Sequence, residues 1–221
     1  MQRMGQVNSL LPLADLALRL GAVNRATLYP DGVTPESDTD HTVMLQLAAV
    51  SVAVHHRELG LDAGMVALYA LVHDLVEAYA GDVNTFIPDA NAAKDKAQRE
   101  AAALIRIGSE CAAWPWIANL IRAYEAQQVP EARFIRYLDK AMPKLTHTLN
   151  HCAAIKRMGH TRERLKEVHE RQEVLLATEY PEFAPIAGAY LRDACNASEA
   201  AFTEDPPTHP HDATGMDWSA R

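Results

Sequence analysis

The sequence predicts an all-α fold, and three observations predict it. Apolar residues recur at about 3.6-residue spacing along nearly the whole chain, with no convincing alternating strand. Capping side chains, glycines and prolines cut that pattern into helix-length pieces. The composition is that of a globular chain, 48% hydrophobic and 23% charged over 221 residues, long enough to bury a core without disulfides. With 21 basic against 29 acidic residues the net charge is −8, which makes nucleic acid polymers and anionic membrane surfaces poor partners. The three cysteines, Cys111, Cys152 and Cys195, form no CxxC pair. A disulfide framework or zinc knuckle is therefore not expected, and a reducing cytoplasm is. Asp15 and Arg19 interrupt the N-terminal apolar stretch, so it reads neither as a secretory signal nor as a membrane span.

The elements follow in order. Ser9 caps a first helix that runs to Leu20 and stops at Gly21. The turn-rich stretch from Pro30 to Pro35 leads to a second helix, begun by Asp38 to Asp40 and ended at Gly60. A third helix spans about Asp62 to Ala80. After a loop over 82–91 comes a helix from about Ala92 to Ile107, then one from Ala112 to Gln127 whose first turn Pro115 delays. Glu131 to Met158 reads as one long helix kinked or broken at Pro143. Thr161 caps an amphipathic helix to Thr178, and a last helix covers Pro181 to Phe202. The expected organisation is one helical domain over 9–202, with a disordered tail over 203–221 rich in proline.

The third helix carries the chemistry. Met65 to Ala80 reads MVALYALVHDLVEAYA, in which only His73, Asp74 and Glu77 are strongly polar. At roughly 100° per residue, His73 and Glu77 lie about 40° apart and Asp74 about 100° from His73, so all three fall in one sector. Burying two carboxylates and an imidazole costs several kcal/mol per uncompensated ion. A metal, basic partners such as Arg25 or Arg122, or a polar cleft at the surface would each compensate them. A divalent cation is the economical choice, and this donor set suits Mn²⁺, Fe²⁺, Co²⁺ or Ni²⁺ better than an all-thiolate zinc site does.

Val72-His73-Asp74-Leu75, preceded by Asp40-His41-Thr42 and followed by Tyr137-Leu138-Asp139-Lys140, resembles the H…HD…D signature of HD-domain metal-dependent phosphohydrolases. Arg25, the segment Glu36 to Thr42, His73-Asp74-Leu75-Val76-Glu77 and Gly81-Asp82 resemble the 5′-deoxynucleotidase branch. The ordered set runs from Arg25 to Gly159, more than half of the chain. The resemblance implies a helical HD-domain bundle with His41, His73, Asp74 and Asp139 as ligands of one divalent metal (Mn, Co, Mg, Fe, Ni or Zn). It implies Glu77 and Asp82 as the groups that move protons, and Arg25 as the group that holds substrate phosphate. The expected substrate is a small nucleotide, and a homodimer is a further expectation because relatives of this type are often dimers.

The departures bear on specificity. Ala26 follows Arg25 where these nucleotidases usually have tryptophan, and Val83-Asn84-Thr85-Phe86 replaces their proline-threonine-proline. Removal of triphosphate from deoxynucleoside triphosphates is the nearest alternative activity. Lys94, Lys96, Lys140 and Lys144 could serve it, although solvated lysines are the commoner case. A noncatalytic nucleotide-binding module of the same fold is the alternative from another class. Outside these motifs, His55-His56 reads as a helix C-terminal dipole contact and Trp114-Pro115-Trp116 as aromatic packing at a helix start.

Overall fold

The computed structural model describes residues 2–82 and 90–202, with side chains over 6–82 and 94–202. Val83 to Phe86 and the expected tail over 203–221 lie outside the described residues. The described chain is mainly helical: α1 (Gln2–Gly21), α2 (Asp38–His55), α3 (Ala63–Val72), α4 (Glu77–Ala80), α5 (Ala90–Glu110), α6 (Trp116–Ala126), α7 (Pro130–Asp139), α8 (Met142–Leu149), α9 (Ala153–Arg157), α10 (Arg162–Glu179) and α11 (Ala187–Ala201). A 3-10 turn, Arg57–Leu59, follows α2.

Capping chemistry fixes several of these boundaries. Asp62 accepts the Met65 amide at 2.8 Å and Thr161 accepts that of Arg164 at 3.2 Å, which starts α3 and α10 where the sequence predicts. Ser37 and Asp40 close a reciprocal pair at the start of α2, with Ser37 Oγ donating to Asp40 Oδ2 at 2.6 Å. The sixth helix begins directly after Pro115, and the Trp114 indole donates to the Ser9 carbonyl at 2.7 Å, packing rather than offering a platform.

Six expectations are corrected. The first helix begins at Gln2, so Ser9 lies inside it, its Oγ donating to the Gln6 carbonyl at 2.8 Å instead of capping, and the last begins at Ala187 and not at Pro181. Asn24–Leu28 and Pro35–Ser37 pair as two short strands, β1 and β2; three to five residues are too few to display alternation. The second helix ends at His55, short of Gly60, whose left-handed φ of 66° closes the 3-10 turn instead. The third helix is two pieces, because 73–76 tighten into i→i+3 bonds such as Leu75 N to Val72 O at 3.2 Å and Glu77 N to Asp74 O at 2.8 Å. The stretch 131–158 breaks at 140–141, just before Pro143, and again at His151 and Cys152, whose φ values are 52° and 57°.

Two compact units are distinguishable among the described residues: those within 2–25, 37–54 and 61–135 form one, and those within 26–36, 55–60 and 136–202 the other. In the first, α3 and α5 pack on α6, and α4 packs on α1 and α5. Its buried side chains include Leu16, Leu45, Val66, Tyr69, Ile107, Ile121 and Phe134. The apolarity of α3 is that of a core helix, with Val66, Tyr69, Ala70 and Val72 buried. In the second unit α8 and α10 both pack on α11, around Met142, Ile155, Leu165 and Leu191. Asn150 Nδ2 donates to the Leu28 carbonyl at 2.6 Å there, and Glu36, Lys144, His147 and His169 are also buried.

Candidate metal centre

The site is built where α2 begins and α3 breaks, both in the first unit. His41 sits in the first turn of α2 and is fully buried, and His73 follows the last residue of α3. Their ring centroids are 5.3 Å apart, and Gln46 ties the two helices by donating to the Ala67 carbonyl at 2.8 Å. Tyr124 of α6 stands edge-on to His73, ring centroids 6.1 Å apart.

The tautomer of His73 follows from its partner. Its Nδ1 lies 2.8 Å from the Ala70 carbonyl, which can only accept, so Nδ1 carries the hydrogen and donates. In the neutral ring the lone pair is then on Nε2. That Nε2 is 2.9 Å from Asp74 Oδ2, and His41 Nε2 is 3.8 Å from the same oxygen. The lone pairs of His73 Nε2 and Asp74 Oδ2 at such range call for positive charge between or beside them. A carbonyl holding the far nitrogen is the usual way a metal-binding imidazole is oriented.

The carboxylates make the same demand. Asp38, Asp74 and Glu77 each bring an oxygen within 4.8 Å of the others, and Asp38 is fully buried. Burial, reinforced by the Asp74 charge and opposed by Lys96, pushes the Glu77 carboxyl up to about 9. Burial likewise raises the Asp38 carboxyl, although Arg25 pulls against it. Cations already answer part of the charge. Arg25 donates to Asp38 Oδ1 at 2.8 Å and Asp74 Oδ2 at 3.2 Å, and Lys96 of α5 donates to Glu77 Oε1 at 2.9 Å. Two imidazoles and a carboxylate so disposed fit a divalent cation.

Of the residues singled out in the sequence, His41, His73, Asp74, Glu77 and Arg25 come together here. Asp82 lies just beyond Gly81 and adds its charge at Lys96. Asp139 is the last residue of α7, in the second unit, largely buried, with Oδ2 2.6 Å from Lys140 Nζ. Sequence reasoning missed Asp38, read as a helix-start carboxylate, and Lys96, read as solvated. The signal for Asp38 was the Glu36-to-His41 segment, where only one of three nearby acids can cap α2. The other lysines differ: Lys94 is exposed, whereas Lys144 is buried. His56, outside the site, bonds Glu58 and Tyr190 at 3.0 Å each.

The HD domain family model matches residues 17–182. A 5′-deoxynucleotidase HDDC2 of Danio rerio is 30% identical over 115 residues, 51% of this chain and 54% of that protein, so the chain spans about half the length of that relative. A crystal structure of a predicted metal-dependent phosphohydrolase from Magnetospirillum magnetotacticum superposes with a TM-score of 0.60 at 25% identity. That superposition covers 87% of this chain and 98% of the other. With the helical architecture and the histidine–aspartate constellation in place, the chain belongs to the HD domain family.

Proposed function

We propose that this HD-type, metal-dependent phosphohydrolase releases phosphate from 5′-deoxynucleoside monophosphates. The observation that carries the reading is the convergence of His41 Nε2 and His73 Nε2 on Asp74 Oδ2 beside a buried, partly cation-compensated carboxylate group. The likeness to a 5′-deoxynucleotidase over half the chain supports the substrate class.

His41, His73 and Asp74 hold the ion, with Asp139 as the fourth ligand on the strength of the ordered motif. When bound, a divalent ion supplies Lewis-acid polarisation of the phosphoryl group and lowers the pKa of water. The chain's own residues do the rest. Lys96 fixes Glu77 by Oε1, and the raised Glu77 carboxyl, which holds its proton near neutral pH, can give that proton to the leaving 5′ oxygen. Asp82 is the second acid available for that transfer. Arg25, which donates to Asp38 and Asp74 at the edge of the site, carries the planar guanidinium fork that suits a phosphate. Three of the four lysines that could meet a longer polyphosphate are otherwise engaged: Lys96 with Glu77, Lys140 with Asp139, and Lys144 with Lys140 and Gln172. This favours a monophosphate.

The test is product analysis with Mn²⁺ or Co²⁺ on a panel of deoxynucleoside mono- and triphosphates. Inorganic phosphate from the monophosphates is expected. Tripolyphosphate from the triphosphates, with no release from monophosphates, would replace this reading with the alternative.

A further inference from the structure

Lysine is rarely buried without partners, yet Lys144 is only 6% exposed. Its ammonium donates to the Lys140 carbonyl at 2.6 Å and to Gln172 Oε1 of α10. The acceptor lies four residues back, where a continuous helix would place a backbone donor. At this break Pro143 has no N–H to give, and the amides of Lys144 and Leu145 both turn to Ala141 O, at 3.1 and 3.3 Å. The Lys144 side chain therefore stands at the carbonyl end of α7, where a cation also meets the negative end of the helix dipole.

That carbonyl belongs to the residue immediately after Asp139, and the Asp139 carboxylate is held on its other side by Lys140 Nζ at 2.6 Å. The Asp139-Lys140 turn is thus clamped at its carbonyl by one lysine and at its carboxylate by another. We propose that Lys144, anchored by Gln172, is a positioning residue that aims the Asp139 carboxylate by fixing this turn. The inference rests on the reading of Asp139 as the fourth metal ligand. Contacts that orient a ligand from outside the coordination sphere are commonly worth about 10- to 100-fold in metal affinity.

The test is Mn²⁺ binding to the metal-stripped full chain by isothermal titration calorimetry, with melting temperatures of the apo proteins alongside. Asp139→Asn examines the ligand reading by itself: an unchanged Kd means that reading fails, whatever Lys144 does. If Asp139→Asn weakens Mn²⁺ binding, Lys144→Met is expected to raise Kd about tenfold at unchanged stoichiometry. Ile155→Ala, a core truncation in the same unit, is expected to lower the melting temperature without moving Kd. An unchanged Kd in Lys144→Met overturns the proposal. So does an equal rise in Ile155→Ala, which would assign the effect to general loosening. Should Lys144→Met not fold, Gln172→Leu takes its place, with a rise of about threefold supporting the clamp and none refuting it.

Discussion

His73 uses its two ring nitrogens for different ends. One is pinned by the Ala70 carbonyl and the other faces Asp74 Oδ2 at 2.9 Å. Replacing it with alanine removes the proposed ligand and the group facing Asp74 together. His73→Ala is expected to lose bound metal, measured by elemental analysis, and turnover, while circular dichroism retains most of the helicity. Glu77 is different in kind, since it is anchored by Lys96 rather than aimed by a backbone group. Glu77→Gln is expected to keep the metal and lose on the order of 10²–10⁴ in kcat; loss of the metal would make Glu77 a ligand. At this scale the sequence is informative where a polar residue interrupts an apolar run. His73, Asp74 and Glu77 stand out for that reason, whereas Asp38 hides among Glu36 and Asp40, and Lys96 on a charged helix face.

The elements were legible where a side chain itself makes the boundary. Asp62, Pro115 and Thr161 each start a helix by chemistry local to one or two turns. Asp62→Ala is expected to cost about 1 kcal/mol, read from denaturant midpoints, because it removes the acceptor for the Met65 amide. The break after Val72 was not legible. Leu75 and Val76 continue the apolar run, and nothing local tells a tightened i→i+3 turn from one more turn of α-helix. The tightening is what turns His73 and Asp74 at the end of α3, so the least readable boundary lies at the candidate site. The two strands were missed because five and three residues are too short to show a period.

For the whole molecule, buried titratable groups tie stability to pH. His147 is buried in α8, and burial, with Lys144 and His169 nearby, lowers it to about 4. The unfolded chain takes up that proton near pH 6.5 and the folded chain only near 4, so stability is held above the first value and lost as pH falls toward the second. Between pH 7 and 5 this amounts to about 2 kcal/mol, and His147→Leu is expected to lose that much less than the parent in urea titrations at the two pH values. Composition announced an acidic, globular chain and periodicity a helical one, but these buried groups were invisible in both, because a lysine on a helix is usually solvated and a histidine is intermediate in burial. The measurement that bears most directly on the account is anomalous scattering at the manganese edge from a crystal soaked in Mn²⁺. A peak within coordination distance of His41 Nε2, His73 Nε2 and Asp74 Oδ2 is the predicted result. A fully loaded crystal with no peak at those three atoms, or with manganese bound elsewhere, would contradict it.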